Sequence, residues 1–513
     1  MALVVVLVQN TDILGDFIMK KAVAVFILLL VGFVLALGYA RANPGAFDPT
    51  WGEEGIVITD FDGLDDNSTT QVLMPDGKLA VVGWVNVYPG DFGVVRYLPD
   101  GRLDPAFGDG GRVVTTFTDD PELVDAAYSV NARPNGGLHV FGETCDANYE
   151  ICDFAMAAFL ADGSLDESFG DGGLVTTPVE DALTVFSWPT RNILQSDGKV
   201  VAGGIALNEM GEDLTVDIVL IRYNPDGSLD EDFGDGGIGI YDFDGQSHFP
   251  QDIVALPGDQ IMIVGGVTSA FEGFSYMSEE GFMARINSDG SVDSGFGDDG
   301  ILTWGYDGQL TGFDRALVTA DDEIYLIGSV SNPLLSGACF LQHLDLDGTV
   351  DTTFGDDGWV LIDTAHNDNC YDGALMADGR IAFAGWASPA EDETRVATAS
   401  AQSRKEKSAR GPGLARSSRA ANQAEFYDNI VGVYHPDGTP DTTFGPDGLV
   451  QFTLSSGMSA MYNISAQPDG RLLTVGNVLI GEQVDFAVVR VLGGQQTSQV
   501  FMPVVQGEAA TGE

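Results

Sequence analysis

The residues of this 513-residue chain able to do chemistry are five histidines, four cysteines and a large excess of aspartate, and their spacing decides what chemistry that is. The histidines (His139, His248, His343, His366, His435) are scattered and form no His-Glu-x-x-His pair that would present two zinc ligands on one helix face. No serine sits in a Gly-x-Ser-x-Gly elbow and no glycine-rich loop precedes Lys-Ser/Thr, so neither a hydrolase nucleophile nor a phosphate cradle is recognisable. Acidic pairs are too frequent for pairing alone to nominate the two carboxylates of a glycosidase. Strings such as Asp226-Gly227-Ser228-Leu229-Asp230 and Asp345-Leu346-Asp347-Gly348 place oxygens at near-alternate positions, as calcium loops do, yet none completes a twelve-residue loop with its terminal Glu. Metal-free Asx turns are the favoured reading of these strings: no cofactor is expected, with calcium as the alternative. The cysteines contain no Cys-x-x-Cys zinc spacing. Cys145 and Cys152 flank a short hairpin loop and are expected to pair in an oxidising compartment; Cys339 and Cys370 fall in neighbouring repeats and either bridge or remain buried thiols.

What must position these residues is a repeat. Leu103-Asp104-Pro105-Ala106-Phe107-Gly108-Asp109-Gly110-Gly111 recurs in variant form, with its aromatic at Trp51, Phe107, Phe169, Phe233, Phe296, Phe354 and Phe444. The Asp three places earlier (Asp48, Asp104, Asp166, Asp230, Asp293, Asp351, Asp441) and the glycine after the aromatic are present every time. Self-similarity at such a period marks a repeat architecture and outranks any single motif. Within one unit, Gly55–Phe61 alternates like a strand (A), Thr69–Met74 is strand B, Pro75-Asp76-Gly77 a tight turn, Leu79–Trp84 strand C and Asp91–Leu98 strand D. A glycine near the end of strand C (Gly83, Gly142, Gly204, Gly265, Gly328, Gly385, Gly476) signals a close backbone approach or a bulge. Seven four-stranded antiparallel units arranged radially make an all-β, seven-bladed β-propeller. The link from D to A is expected to cross from one blade to the next, with its aromatic wedged between blades and its Asp capping backbone amides. The alternative phasing makes A the outer strand of the preceding blade and closes the ring by pairing the first and last segments. An acid at the start of strand D and an Arg or His five residues later (Arg96, Arg222, Arg285, His343, Arg490) are read as structural partners of the next unit.

Pro-Asp-Gly-x-Leu-Asp-x-x-Phe-Gly-x-x-Gly, as at Pro225–Gly237, with the Gln-x-Asp-Gly-Lys turn at Gln195–Lys199, resembles the bacterial delta-60 repeat over about residues 47–492. The resemblance implies an exported tandem-repeat β-propeller and carries no activity with it. The seventh unit departs from the pattern, ending in Leu492-Gly493-Gly494.

Around the repeats, Met19-Lys20-Lys21, the apolar run Ala22–Gly38 and Ala40-Arg41-Ala42 describe a secretory signal peptide over 1–42, with translation beginning at Met1 or Met19. Cleavage after Ala42 is favoured; the run is also long enough to stay as an uncleaved anchor. The body, 43–494, is then exported to the periplasm, cell surface or medium. An insertion near 389–424 holds Arg395, Arg404, Lys405, Lys407, Arg410, Arg416 and Arg419 and is expected to be disordered; 495–513 form a polar tail. A net charge of −54 disfavours nucleic acid and anionic membranes as partners.

The expected function is therefore a monomeric, non-enzymatic binding or surface scaffold for a protein or glycan, the alternative being a propeller glycoside hydrolase. The loops between A and B and between C and D vary from unit to unit, and variable loops on a rigid scaffold are where binding residues concentrate. Their aromatics Phe186, Trp188, Phe271, Phe274 and Tyr276 are the candidate contacts, since aromatic faces stack on sugars.

Overall fold

The structure, a computed structural model, describes residues 44–494 apart from 62, 86–89, 118–122, 147–150, 180–183, 187–190, 211–212, 244, 269–277, 332–336, 365, 390–427, 455–458 and 482. The expected signal peptide, the basic insertion (but for its edge at Pro389), the tail, and Trp188, Phe271, Phe274 and Tyr276 lie outside the described residues.

Seven antiparallel sheets form a seven-bladed propeller. Blade I runs from inner to outer edge as Asn67–Leu73, Leu79–Val85, Asp91–Tyr97 and Arg112–Thr115. Blades II and IV–VI repeat this order of inner, second, third and outer strand in sequence. In blade VII the outer strand is Ile56–Thr59, from the N-terminal end of the ring, paired with the third strand Gln483–Val491. The strand after each Phe-Gly link thus belongs to the preceding blade, which corrects the expectation that the link crosses between blades. The link is instead a hairpin within one blade: Asp104 N–H donates to Arg96 O, and Arg96 N–H to Gly111 O. The alternative phasing, with its closure of first segment on last, describes the molecule. Closure leaves no terminal blade incomplete.

In blade III the inner strand is split. Thr184–Phe186 and Ile193–Leu194 both pair with Val200–Met210. Phe186, expected in a loop between strands A and B, is therefore in the inner strand itself.

The core lies between blades. Each of seven apolar clusters draws on two adjacent sheets and holds one link aromatic. Phe107 sits among Val82, Phe92 and Val94 of blade I and Ala127, Val140 and Ala155 of blade II. Trp51, Phe169, Phe233, Phe296, Phe354 and Phe444 fill the other six interfaces. The next blade's Asp-Gly turn caps the link. Gly108 N–H donates to Asp162 O at 2.8 Å, and a Cβ on Gly163 (φ 86°) would stand 2.7 Å from Gly108 N. Only glycine fits that approach, which is why Asp-Gly recurs there.

The link aspartate does two jobs. One oxygen caps the backbone two residues on, as Asp104 Oδ1 does for Ala106 N–H at 3.0 Å. The other meets a basic side chain in every repeat: Arg96 and Lys78 on Asp104, Arg133 on Asp166, Arg222 and Lys199 on Asp230, Arg285 on Asp293, His343 on Asp351, Arg380 on Asp441, Arg490 and Arg471 on Asp48. The strand-D cation is thus mainly a partner of its own unit's link. Only its spare nitrogens reach onward, as Arg285 Nη1 does to Leu346 O at 3.3 Å.

Candidate functional site

Inner strands converge on the ring axis, so the axis is where side chains from different blades can meet. Six of the seven inner strands carry a β-bulge at one level, after Ser68, Ala127, Pro250, Phe313, Cys370 and Met461. The residue before each bulge pairs with the strand-C glycine. A Cβ on Gly83 would lie 1.9 Å from Asn67 O, and one on Gly476 1.9 Å from Ala460 O. The glycine is required because the bulge pushes an inner-strand carbonyl into the space a side chain would fill.

Just past the bulge stands a polar side chain: Thr70, Ser129, Asp252, Arg315, Asp372 and Asn463, with Arg191 preceding the second half of blade III's split strand. Four of them form a closed ionic cluster. Arg191 Nη2 lies 2.6 Å from Asp372 Oδ1; Arg315 lies 2.5 Å (Nη1) from Asp252 Oδ1 and 3.1 Å (Nε) from Asp372 Oδ1. The second carboxylate oxygens accept backbone N–H groups of the following blade, Asp252 from Ala316 at 3.1 Å and Asp372 from Ile464 at 2.8 Å. Both aspartates are buried; burial pushes the Asp252 carboxyl up, and Arg315 and Arg191 oppose it. Two positive and two negative charges cancel, so the plug is neutral, and its members are committed to one another rather than posed for catalysis.

On one side of this plug, towards the Pro-Asp-Gly turns, is a cavity of about 550 Å³. Its walls are mainly apolar (Val72, Leu73, Val254, Leu317, Leu375), and Arg191 and Arg315 form part of its lining.

On the other side, at the bulge, stand Thr69, Tyr128, Gln251, Asp314, Tyr371 and Tyr462, with Trp84, Glu143, Ser329, Trp386 and Asn477 one place beyond the strand-C glycine. Both levels lie towards the variable connections, because inner strands begin and second strands end there. The aromatics pair across blades. Trp84 and Tyr128 have ring centroids 5.9 Å apart, and Tyr371 and Tyr462 5.7 Å. Trp386 Nε1 donates to Tyr371 Oη at 2.9 Å, and Tyr128 Oη to Glu143 Oε1 at 3.1 Å. All five rings are half-buried. Asp314, also half-buried, has its pKa pushed up to about 8 by desolvation, against a weak opposing hydrogen bond from Ser329.

The structure keeps His139, His248 and His343 apart, against different link aromatics or blade interfaces. His139 packs on Phe169, His343 lies between Tyr325 and Phe354, and His248 packs on Phe243 and Phe282. Cys145–Cys152 and Cys339–Cys370 are disulfides, the first across one hairpin and the second joining blades V and VI. Such pairs fit an oxidising compartment. Asp226 Oδ1 is occupied by the N–H and Oγ of Ser228, and Asp347 Oδ1 by the N–H of Thr349, both Asx turns. Among the described residues no helix is long and apolar enough to cross a membrane. The axial residues were not singled out from the sequence. The signal that would have found them is the residue 13 places ahead of each strand-C glycine, which varies while its frame does not.

Residues 75–107, 195–233, 262–296 and 467–492 match the family described as "Domain of unknown function (DUF5122) beta-propeller". The chain is a β-propeller repeat protein. No curated protein matches it. Among solved structures it is similar to a catalytically inactive virginiamycin B lyase from Staphylococcus aureus with quinupristin, at 9% identity over 85% of this chain and 98% of that one, TM-score 0.43. It is also similar to a protein of unknown function from Dyadobacter fermentans (9%, 86% and 100%, TM-score 0.43) and to a polysaccharide lyase of family 25, an ulvan lyase (10%, 85% and 96%, TM-score 0.40). These likenesses accompany the fold, which rests on the sheet topology itself.

Proposed function

We propose that this propeller is an exported, non-enzymatic binding scaffold that takes a glycan at the axial mouth on the variable-loop face. The observation that carries the reading is the set of half-buried rings at that mouth, Trp84 with Tyr128 and Tyr371 with Trp386 and Tyr462. Paired aromatic faces beside amide and carboxyl groups suit a sugar, whose C–H faces stack and whose hydroxyls take hydrogen bonds. The ionic plug beneath supports a closed floor rather than a through-channel. The sequence between the strands Ile261–Thr268 and Glu280–Ile286 carries Phe271, Phe274 and Tyr276, and with Trp188 these are proposed to extend the contact.

The test is a glycan array probed with the full chain and with the Tyr371→Ala/Trp84→Ala variant. Wild type should retain a defined glycan class, and the variant should lose it while melting as a folded protein. Retention by the variant, with loss on altering the Pro-Asp-Gly turns, would place the function on the opposite face.

One observation favours a second reading, a propeller glycoside hydrolase. Asp314 is a carboxyl held protonated near neutral pH in an aromatic-lined mouth, the state a glycosidase general acid needs. Turnover of a retained glycan, abolished by Asp314→Asn, would replace the scaffold reading.

A further inference from the structure

The ring is closed where the outer strand Ile56–Thr59 meets blade VII, and three carboxylates gather there. Asp60 follows that strand, Asp66 precedes the inner strand of blade I, and Asp485 belongs to the third strand of blade VII. One oxygen of each lies within 4.8 Å of those of the other two. Two oxygens bound to one calcium ion at about 2.4 Å can be at most about 4.8 Å apart, so the set has the dimensions of a calcium shell. The backbone already holds these carboxylates in place. Asp60 Oδ1 accepts Gly63 N–H at 2.6 Å, and Asp66 Oδ2 accepts Phe61 N–H at 2.6 Å.

A second observation is independent of the clustering. Asp485 is 6% exposed, and its Oδ1 is buried without a hydrogen-bond partner. An acceptor left unsatisfied in a buried site is costly, and a carboxylate beside two others more so, unless a cation completes it. The corresponding places at the junction of blades I and II are Thr116 and Asp125, with Thr116 Oγ1 donating to Asp125 Oδ2 at 3.2 Å. There a hydroxyl hydrogen offsets the charge that a third carboxylate adds at the closure.

We propose that Asp60, Asp66 and Asp485 bind a calcium ion that fastens the N-terminal outer strand to blade VII and so locks the ring. The three residues come from both sides of the closure, so the ion's binding energy adds directly to the stability of the closed ring. The site differs from the Asp-Gly strings of the repeats, in which one oxygen of Asp226 and one of Asp347 is taken by its own turn.

Purified full chain, stripped with chelator, is melted with and without added calcium or magnesium, and calcium binding is followed by titration calorimetry. Calcium should raise the melting temperature saturably, by at least roughly 3 °C at about a hundredfold excess over the dissociation constant, and magnesium less. Asp485→Asn should abolish the calcium shift and, in chelator, melt above the stripped wild type because one of three adjacent negative charges is gone. Asp226→Asn should leave the calcium shift intact. A calcium shift undiminished in Asp485→Asn, or wild type that neither binds calcium nor melts higher with it, overturns the inference. Glycan binding is not a readout here, so failure of one reading leaves the other standing.

Discussion

Arg191 Nη2 stands 2.6 Å from Asp372 Oδ1, joining the third and sixth blades across 181 residues of sequence. Neighbouring blades are held by apolar clusters; this contact links blades that share no sheet interface. It is sensitive to composition because Asp372 and Asp252 are desolvated. Replacing Arg315 by Met strips the only cation within hydrogen-bond reach of Asp252 among the described residues, and removing one member of a buried ionic cluster costs about 3–5 kcal/mol. Arg315→Met should show that loss in urea denaturation. Arg315→Met/Asp252→Asn should lose less than the two single variants combined, because the stranded charge is gone. Additive losses would mean that the two side chains act independently.

The link aspartates make stability depend on acid. For Asp230, burial alone would raise the carboxyl, but hydrogen bonds from Lys199 and Arg222 outweigh it and hold it below its ordinary value of 3.8. The other six link aspartates are lowered too. A depressed folded-state pKa gives stability that is complete above the unfolded value and disappears as pH falls through the folded one. Asp230→Asn should therefore cost about 1.5–3 kcal/mol at pH 6, the range for a hydrogen bond to a charged group. The gap between variant and wild type should shrink below about pH 4. A gap that stays constant to pH 2.5 would contradict the ion-pair account.

Phe233 is fully buried among Ile218 and Leu220 of blade III and Ile263 and Phe282 of blade IV. Phe233→Ala should destabilise by about 3–5 kcal/mol, as truncating a buried aromatic does. Equilibrium denaturation of the full chain measures it, and a loss under about 1 kcal/mol would mean the blades repack into the space.

The blade count and the place of the link aromatics were legible because the Asp-x-x-aromatic-Gly link is written seven times in similar residues. Phasing was harder to read: a four-residue outer strand such as Ile56–Thr59 looks the same whether it begins one blade or ends another. Only pairing with Gln483–Val491 decides it. The charge pattern misled for a similar reason. Arg96 lies eight residues from Asp104, too far for a within-strand rule, yet the link hairpin folds one back on the other. The axial site went unread because Arg191, Asp252, Arg315 and Asp372, each 13 places ahead of its strand-C glycine, differ in type from unit to unit, and the repeat signature is silent at that position.

Asp314 titrates in the opposite sense to the link aspartates. Its folded-state value near 8 lies above the unfolded 3.8, so between these values the folded protein holds a proton that the unfolded chain has released. Stability then falls as pH rises through that window. Asp314→Asn removes this slope. The variant should melt higher relative to wild type at pH 9 than at pH 5, with the change running through the window and levelling off above about pH 8. A difference independent of pH would show that Asp314 is ionised in the folded protein and would also remove the case for a general acid.

The Cys339–Cys370 bridge ties the third strand of blade V to the inner strand of blade VI, with Cα atoms 5.5 Å apart. Both cysteines are fully buried in the cluster around Phe354, so the bridge crosses a blade interface already packed by Tyr325, Leu341 and Phe383. It restrains the unfolded chain over a separation of 31 residues, for which chain entropy gives roughly 3–4 kcal/mol. Cys145–Cys152 spans only 7 residues within one hairpin, and the same reasoning gives roughly 2–3 kcal/mol. Cys339→Ala/Cys370→Ala should therefore lower the urea midpoint more than Cys145→Ala/Cys152→Ala does. Buried small apolar replacements leave no unsatisfied polar group at either site, so the comparison reads the cross-links rather than new defects. Equal or reversed losses would mean that strain in the folded ring, not restraint of the unfolded chain, sets what each bridge contributes.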